Sequence, residues 1–401
     1  MLIRFEVSNF RSILDPVELS MVAVDKDRSE THAVPNLGES LLPVAAIFGP
    51  NASGKSNVLA AMEWLLSAVR DSLRFWDGEI PFEPFAFAES PVPAEFTIEA
   101  VISGVRFEYV VELDREAVNH EGLFHYPEKK RRRVFEREGT KVTLQRGLGS
   151  LSGTRELLTA RTLALSIARR FDEPLVAEFA RYLLSVQVLG VGPYMDLSRV
   201  PEVPNFPTRR LFEELVDDGP DRAQALAMLR MADLGIDDVA IDVHEQRRKV
   251  RLVHRTAGGP MPLEFHAESA GTQAWFRLIG PVLAALKEGF LVLFDELDAS
   301  LHPTLSAHLV RLFHDPATNP KGAQLVFTSH DTSLLNYLNR DEVWLTEKSD
   351  DGATRLGALA EFAGERVRKS QNLEKAYLHG RFGALPDVDR TEMLRALGLI
   401  G

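Results

Sequence analysis

The sequence predicts an α/β fold in which a parallel sheet, covered by helices on both faces, carries a phosphate-binding loop. Three observations predict it. GPNASGKS, Gly49 to Ser56, fits G-x-x-x-x-G-K-[ST] without a mismatch, and lies between an apolar run (Val44, Ala45, Ala46, Ile47, Phe48) and a helix-like run from Asn57 to Val69. LVLFDE, Leu291 to Glu296, is a second apolar run, ending in two carboxylates. Further apolar strands near 324–329 and 342–346 alternate with helical spacing at 270–287 and 303–316, the pattern of strands buried on both faces.

Composition sets the bounds. The chain has 401 residues, of which 45% are hydrophobic, enough for one large or two medium cores. It has no cysteine, which excludes disulfides, thiolate metal sites and a Cys nucleophile and is compatible with a cytoplasmic setting. The start, MLIRFEVSNFRSI, alternates like a strand and does not read as a signal peptide. No apolar run approaches the ~18 residues of a membrane span, so no membrane partner is expected. The net charge of −12 argues against coating nucleic acid by bulk electrostatics, so any DNA contact must be local.

In chain order, residues 2–8 read as a strand and 13–40 as irregular and polar. The loop unit occupies 44–70. Alternating segments near 95–103, 105–113, 131–136 and 141–145 suggest an antiparallel subsheet. From about 150 the apolar spacing turns helical (154–170, 173–185 and 209–231), broken by the Pro- and Gly-rich stretch 191–207. Alternation returns in 238–254. The expected organisation is 1–149, the N-terminal half of one unit; 150–237, a helical insertion lobe; and 238–401, the C-terminal half with its tail.

The chemistry follows from residue type. In the loop, Gly49, Pro50, Asn51, Ala52, Ser53 and Gly54 let the backbone curl so that N–H groups point at phosphate oxygens. Asn57 follows on the helix, whose N-terminus adds partial positive charge. Lys55 reaches the β- and γ-phosphates of ATP, and Ser56 ligates Mg²⁺. Asp295, at the end of the second apolar run, fits a Walker B carboxylate on the same metal. Glu296 is placed to polarise the attacking water.

Three more pieces follow in a fixed order: SAGTQ (Ser269 to Gln273) before a helix, LDASLHP (Leu297 to Pro303) after the carboxylates, and SHD (Ser329 to Asp331) at the next strand end. Singly, each reads equally well as a helix cap, a turn or a structural histidine. Their order resembles ABC-type ATPase heads of the SMC-like and OLD-like branch. EVWLTEK and LEKAYLHGRFGALP (Leu373 to Pro386) resemble the bacterial AAA15 ATP-binding group, related to ATPase subunits of phage-defence systems. The resemblance covers 1–113 and about 240–348.

It implies a P-loop NTPase of ABC-ATPase type with a mixed sheet. Ser269, Gly271 and Gln273 become the signature motif, Asp298 part of the D-loop, and His330 the switch histidine beside catalytic Glu296 and Lys55. Two heads would pair head to tail around ATP, as a homodimer or higher oligomer, and control a separate effector such as a nuclease or toxin. Arg11 falls where such heads place an arginine near the nucleotide. A glutamine of the kind found in Q-loops is not identifiable in 81–90, and SAGTQ lacks the second glycine of many transporters.

Competing readings remain at this level. A DNA-repair head would use the basic run Lys129, Lys130, Arg131, Arg132, Arg133 or the segment Arg247 to Arg255, although such runs also serve as solvated hairpin edges. A scaffold would use ATP only structurally. No long heptad pattern appears in 114–240, which separates the chain from heads with coiled-coil arms.

Overall fold

The computed structural model describes residues 1–25, 28–190, 220–233, 235–244, 247–299, 301–363 and 373–379. Its centre is a six-stranded sheet ordered Gln187–Gly190, Leu291–Asp295, Gln324–Thr328, Val44–Phe48, Val343–Lys348, Thr354–Ala358. The first five strands are parallel, and the last runs antiparallel to its neighbour. Successive side chains of a strand point to opposite faces, and here both faces are dry. Ala45, Ile47, Leu291, Leu293 and Val326 join one core, while Val44, Ala46, Phe48, Val292, Phe294, Leu325 and Phe327 join the other. That is why these strands read as unbroken apolar runs.

The first core lies between this sheet and a seven-stranded antiparallel one. Its order is Lys141–Leu144, Arg132–Glu138, Val118–Tyr126, Val105–Leu113, Ala94–Ile102, Leu2–Ser8, Val17–Ser20. Helix Lys55–Phe75 runs between the sheets and buries Val58, Leu59, Ala61, Met62, Leu65, Leu66, Ala68 and Val69, an apolar girdle wider than a surface helix carries. The second core is closed by helices Ala270–Glu288, Pro303–His314, Pro220–Ala232 and Leu373–Leu378. A three-stranded sheet, Ile236–His244, Arg247–Thr256 and Gly259–Glu264, joins it through Ile236, Val239 and Leu252.

The structure departs from the sequence expectations in four places. Residues 13–40 contain strands Val17–Ser20, His32–Val34 and Glu39–Leu41, each too short to show a period. Val118–Tyr126, not among the segments expected as strands, is an inner strand. Its buried Glu121 disguises it, because Tyr109 Oη and the backbone N–H groups of Ala164 and Leu165 donate to that carboxylate while Arg137 lies 3.6 Å away. Third, the helices expected to stand apart from 150 onward do not. Thr154–Leu157, Ala164–Ala168 and Pro174–Ser185 feed Leu163, Leu165, Val176, Phe179 and Leu183 into the first core. Fourth, strand Gln187–Gly190, inside the same segment, is an edge of the central sheet. The loop at 191–207 and the start of the 209–231 helix lie outside the described residues. Among those described, no helix is long and apolar enough to cross a membrane.

Candidate nucleotide-binding site

The loop after Val44–Phe48 is held by hydroxyl groups from distant strands. Ser53 Oγ bonds Thr346 Oγ1 at 2.6 Å, and Thr354 Oγ1 donates to the Ser53 carbonyl at 2.9 Å. Thr354 Oγ1 also meets Ser12 Oγ at 2.7 Å, and Asn57 Nδ2 donates to Ser12 Oγ at 2.6 Å. The two loop glycines are required by this close approach. Gly49 has φ +155° and Gly54 φ +101°; a Cβ on the first would strike Thr346, and one on the second would lie 2.7 Å from Thr354 Cγ2 and 2.9 Å from Ser12 Oγ. Ser12, Thr346 and Thr354 were not identified from sequence. Their only signal is a hydroxyl residue beside a loop or within an otherwise apolar strand.

Helix Lys55–Phe75 starts without a side-chain cap and without an acidic residue in its first turn, so no capping side chain competes with an anion at its N-terminus. Lys55 Nζ donates to the Gly49 and Pro50 carbonyls, each at 2.9 Å, folding over the loop it would serve. Burial pushes its pKa below the usual range, and Asp295, Glu296 and Asp298 act in the opposite sense.

Two parallel neighbours bring the carboxylates to this point. Ser56 Oγ donates to Asp295 Oδ1 at 2.9 Å, which brings together the two residues expected from sequence to share a metal. Both groups offer the hard oxygen donors that Mg²⁺ takes, and that ion usually keeps waters and phosphate oxygens as its other ligands. Among the described residues no group of three or more acidic or histidine side chains is arranged to hold a metal by itself. Glu296 sits in a left-handed turn, φ +52°. Arg11, Ser56, Asp295 and Glu296 line one cavity of about 990 Å³, together with Glu63, Trp64, Arg70, Phe82 and Gly190. Arg11 is thus at the site, 3.5 Å from Glu83 and 5.4 Å from the Phe10 ring centroid.

The strand bordering the carboxylates is Gln187–Gly190, which pairs parallel with Leu291–Asp295 so that Gly190 lies opposite Asp295. A Cβ on Gly190 (φ +108°) would lie 2.9 Å from the Asp295 backbone N. Pro81, Phe82 and Glu83 reach the cavity from another side.

Other sequence-selected residues are placed elsewhere. Ser269 caps helix Ala270–Glu288, accepting from Thr272 N at 3.1 Å, and is exposed with Gly271. Gln273 folds back onto the Glu268 carbonyl at 2.9 Å. Asp298 Oδ1 accepts from the His330 backbone N at 3.1 Å, leaving the His330 side chain exposed. None of these five lines the cavity. In the basic run, Arg131 pairs with Glu108 at 2.9 Å and lies 3.5 Å from the Phe124 ring centroid, and Arg133 pairs with Glu136 at 2.9 Å, so part of its charge is spent locally. The side chains of Arg247, Arg248 and Lys249 lie outside the described set.

Two SMC heads are among the solved structures similar to this chain. The SMC head domain from Thermotoga maritima shares 14% identity over 89% of this chain and 98% of that one, with a TM-score of 0.42. A structure described as the SmcHead bound to the C-winged helix domain of ScpA shares 14% identity over 94% and 99%, with a TM-score of 0.47. No curated protein matches the chain. A family model described as "AAA domain, putative AbiEii toxin, Type IV TA system" matches residues 44–336, a range that includes the phosphate loop, Asp295, Glu296 and His330. The chain belongs to that AAA domain family.

Proposed function

We propose that this chain is an ATP-driven switch that binds ATP with Mg²⁺, hydrolyses it, and pairs head to tail with a second copy while ATP is bound. One observation carries the reading. The hydroxyl of Ser56, on the first turn of helix Lys55–Phe75, meets the carboxylate of Asp295 from a strand far along the chain, and both line one cavity with Glu296. N–H groups of the helix and loop hold phosphate oxygens. Lys55 exchanges its bonds to the Gly49 and Pro50 carbonyls for bonds to the β- and γ-phosphates. Ser56 and Asp295 would hold Mg²⁺, which neutralises charge on those phosphates.

Glu296 accepts a proton from the attacking water. The water oxygen bonds to the γ-phosphorus, the bond to the β–γ bridging oxygen breaks, and ADP and phosphate result. Arg11 adds positive charge at the cavity wall. In this reading Ser269 and Gly271, exposed at the start of helix Ala270–Glu288, close the nucleotide held by a partner copy, while His330 serves as the switch histidine beside Glu296. The family's description names a putative toxin and a type IV toxin–antitoxin system, and the resemblance to ATPase subunits of phage-defence systems leads us to propose that the nucleotide state controls a separate effector such as a toxin or nuclease.

Lys55→Ala and Glu296→Gln test the proposal together. Glu296→Gln is expected to keep ATP binding, to lose roughly 10²–10⁴-fold in turnover, and to accumulate as a dimer with ATP. Lys55→Ala is expected to lose nucleotide binding. Unchanged turnover and association in Glu296→Gln would remove Glu296 from its role, and wild-type turnover no higher than that of Lys55→Ala would remove the ATPase reading.

A further inference from the structure

We infer that Thr328 is a positioning residue that sets both carboxylates of the site and ties them to the strand carrying His330; this rests on the reading of Asp295 and Glu296 given above. Thr328 is the last residue of strand Gln324–Thr328 and is fully buried. Its Oγ1 donates to Asp295 Oδ1 at 2.6 Å and accepts the Glu296 backbone N–H at 2.7 Å. Its own carbonyl accepts the Leu297 N–H at 3.0 Å. One residue therefore holds three consecutive positions of the neighbouring turn.

The direction of each bond is fixed by chemistry. A carboxylate can only accept and a backbone N–H can only donate, so the hydroxyl has a single orientation that serves both. Valine suits a buried strand as well as threonine does. A hydroxyl at this position is therefore accounted for by the groups it bonds. Ser56 also donates to Asp295 Oδ1, and its two lone pairs remain to offer a cation. Thr328 can keep its bond throughout, so it fixes the carboxylate when the metal arrives.

The Glu296 N–H bond pins a residue in the left-handed region, φ +52°, where a side chain other than glycine's is strained unless its surroundings hold it. The register continues beyond Thr328. Ser329 N donates to the Ile47 carbonyl at 3.2 Å, in the strand feeding the phosphate loop, and His330 N donates to Asp298 Oδ1 at 3.1 Å. Residues 328–330 thus touch Asp295 to Asp298 on one side and the phosphate-loop strand on the other. A shift of His330 on meeting a partner copy would be felt at the metal carboxylate through Thr328.

The test compares Thr328→Val, which keeps shape and removes the hydroxyl, with Thr328→Ser, which keeps the hydroxyl. Three readouts are taken: turnover against Mg²⁺ concentration, affinity for a fluorescent ATP analogue with Mg²⁺ and with EDTA, and thermal melting. Thr328→Val is expected to lose about 10- to 100-fold in kcat and to need about 10-fold more Mg²⁺ for half-saturation, the range found when groups orienting a metal ligand are removed. Its affinity in EDTA should equal the parent's, and Thr328→Ser should stay within about threefold of the parent.

Parental kcat and Mg²⁺ dependence in Thr328→Val would overturn the inference. So would equal deficits in both variants, which would mark a packing role. If Thr328→Val does not fold, Thr328→Cys, a weak donor of similar volume, takes its place with the same expected shift in Mg²⁺ requirement, and a parental requirement there is equally fatal. Lys55→Ala run alongside separates the two failures. A parent no faster than Lys55→Ala removes the ATPase reading and this inference with it, whereas an active parent matched by Thr328→Val removes only the inference.

Discussion

Thr354→Val isolates the hydroxyl clamp on the phosphate loop. Thr354 is 2% exposed, and its hydroxyl meets two groups: it donates to the Ser53 carbonyl at 2.9 Å and pairs with Ser12 Oγ at 2.7 Å. Valine fills nearly the same space, so the main loss is a donor to a buried carbonyl, at a cost of about 1–3 kcal/mol. Ser12 still receives the Asn57 amide at 2.6 Å and sits at the rim, where water can replace the lost partner. The effect therefore concentrates on Ser53, inside the loop. If about half of it is expressed as misplacement of the loop N–H groups, affinity for ATP falls roughly three- to tenfold, since 1.4 kcal/mol corresponds to tenfold. Isothermal titration with MgATP reads the affinity, and urea unfolding reads the remainder as stability. Thr354→Ser, which keeps the hydroxyl, should stay near the parent in both. A Thr354→Val protein that loses stability but binds MgATP as tightly as the parent would refute the claim that the clamp shapes the loop.

Two further outcomes follow from buried charges. Arg137 is fully buried 3.6 Å from Glu121, so Arg137→Met leaves an uncompensated carboxylate and should cost about 3–5 kcal/mol in urea unfolding; a loss below about 1 kcal/mol would show that the three donors to Glu121 suffice. Burial raises the Glu63 pKa in the folded chain above its unfolded value, so ionisation disfavours folding. Stability from this group is present below the unfolded pKa and is lost as pH rises through the raised folded value. Glu63→Gln should therefore gain in melting temperature relative to the parent as pH rises from about 4 to 7, and a pH-independent difference would contradict the assignment.

The parts of the site legible in sequence are those whose chemistry is contiguous. The phosphate loop declares itself because its glycines, Lys55 and Ser56 must be adjacent to wrap a phosphate. Asp295 and Glu296 end an apolar run, a weak sign alone that gains its weight from the phosphate loop upstream. Thr328, Thr346, Thr354 and Ser12 are silent, because a lone hydroxyl residue acquires its role only from what the sheet order sets beside it. Val118–Tyr126 was missed because Glu121 looks like a surface residue until Arg137, Tyr109 and two backbone amides surround it. Gln187–Gly190 was missed because a four-residue strand after a helix shows no period, and its burial comes from Leu291–Asp295, far along the chain. Helical spacing in 154–185 was legible, but not the face against which those helices pack, since periodicity names a stripe and not its partner.

The strand order of the central sheet also bears on how the protein is made. Val44–Phe48 has Gln324–Thr328 on one side and Val343–Lys348 on the other. A ribosome adding about 5–20 residues per second needs on the order of 15–60 s between releasing the first and the last of these. Throughout that interval an apolar strand with two open edges waits for both neighbours, in a chain whose contacts are far apart in sequence. The ATP pocket is therefore among the last features to form. A nascent or truncated chain ending before Val343 lacks Thr346, the partner of Ser53 Oγ in the phosphate loop, and the exposed Val44–Phe48 run is where a chaperone or a misplaced strand would engage it.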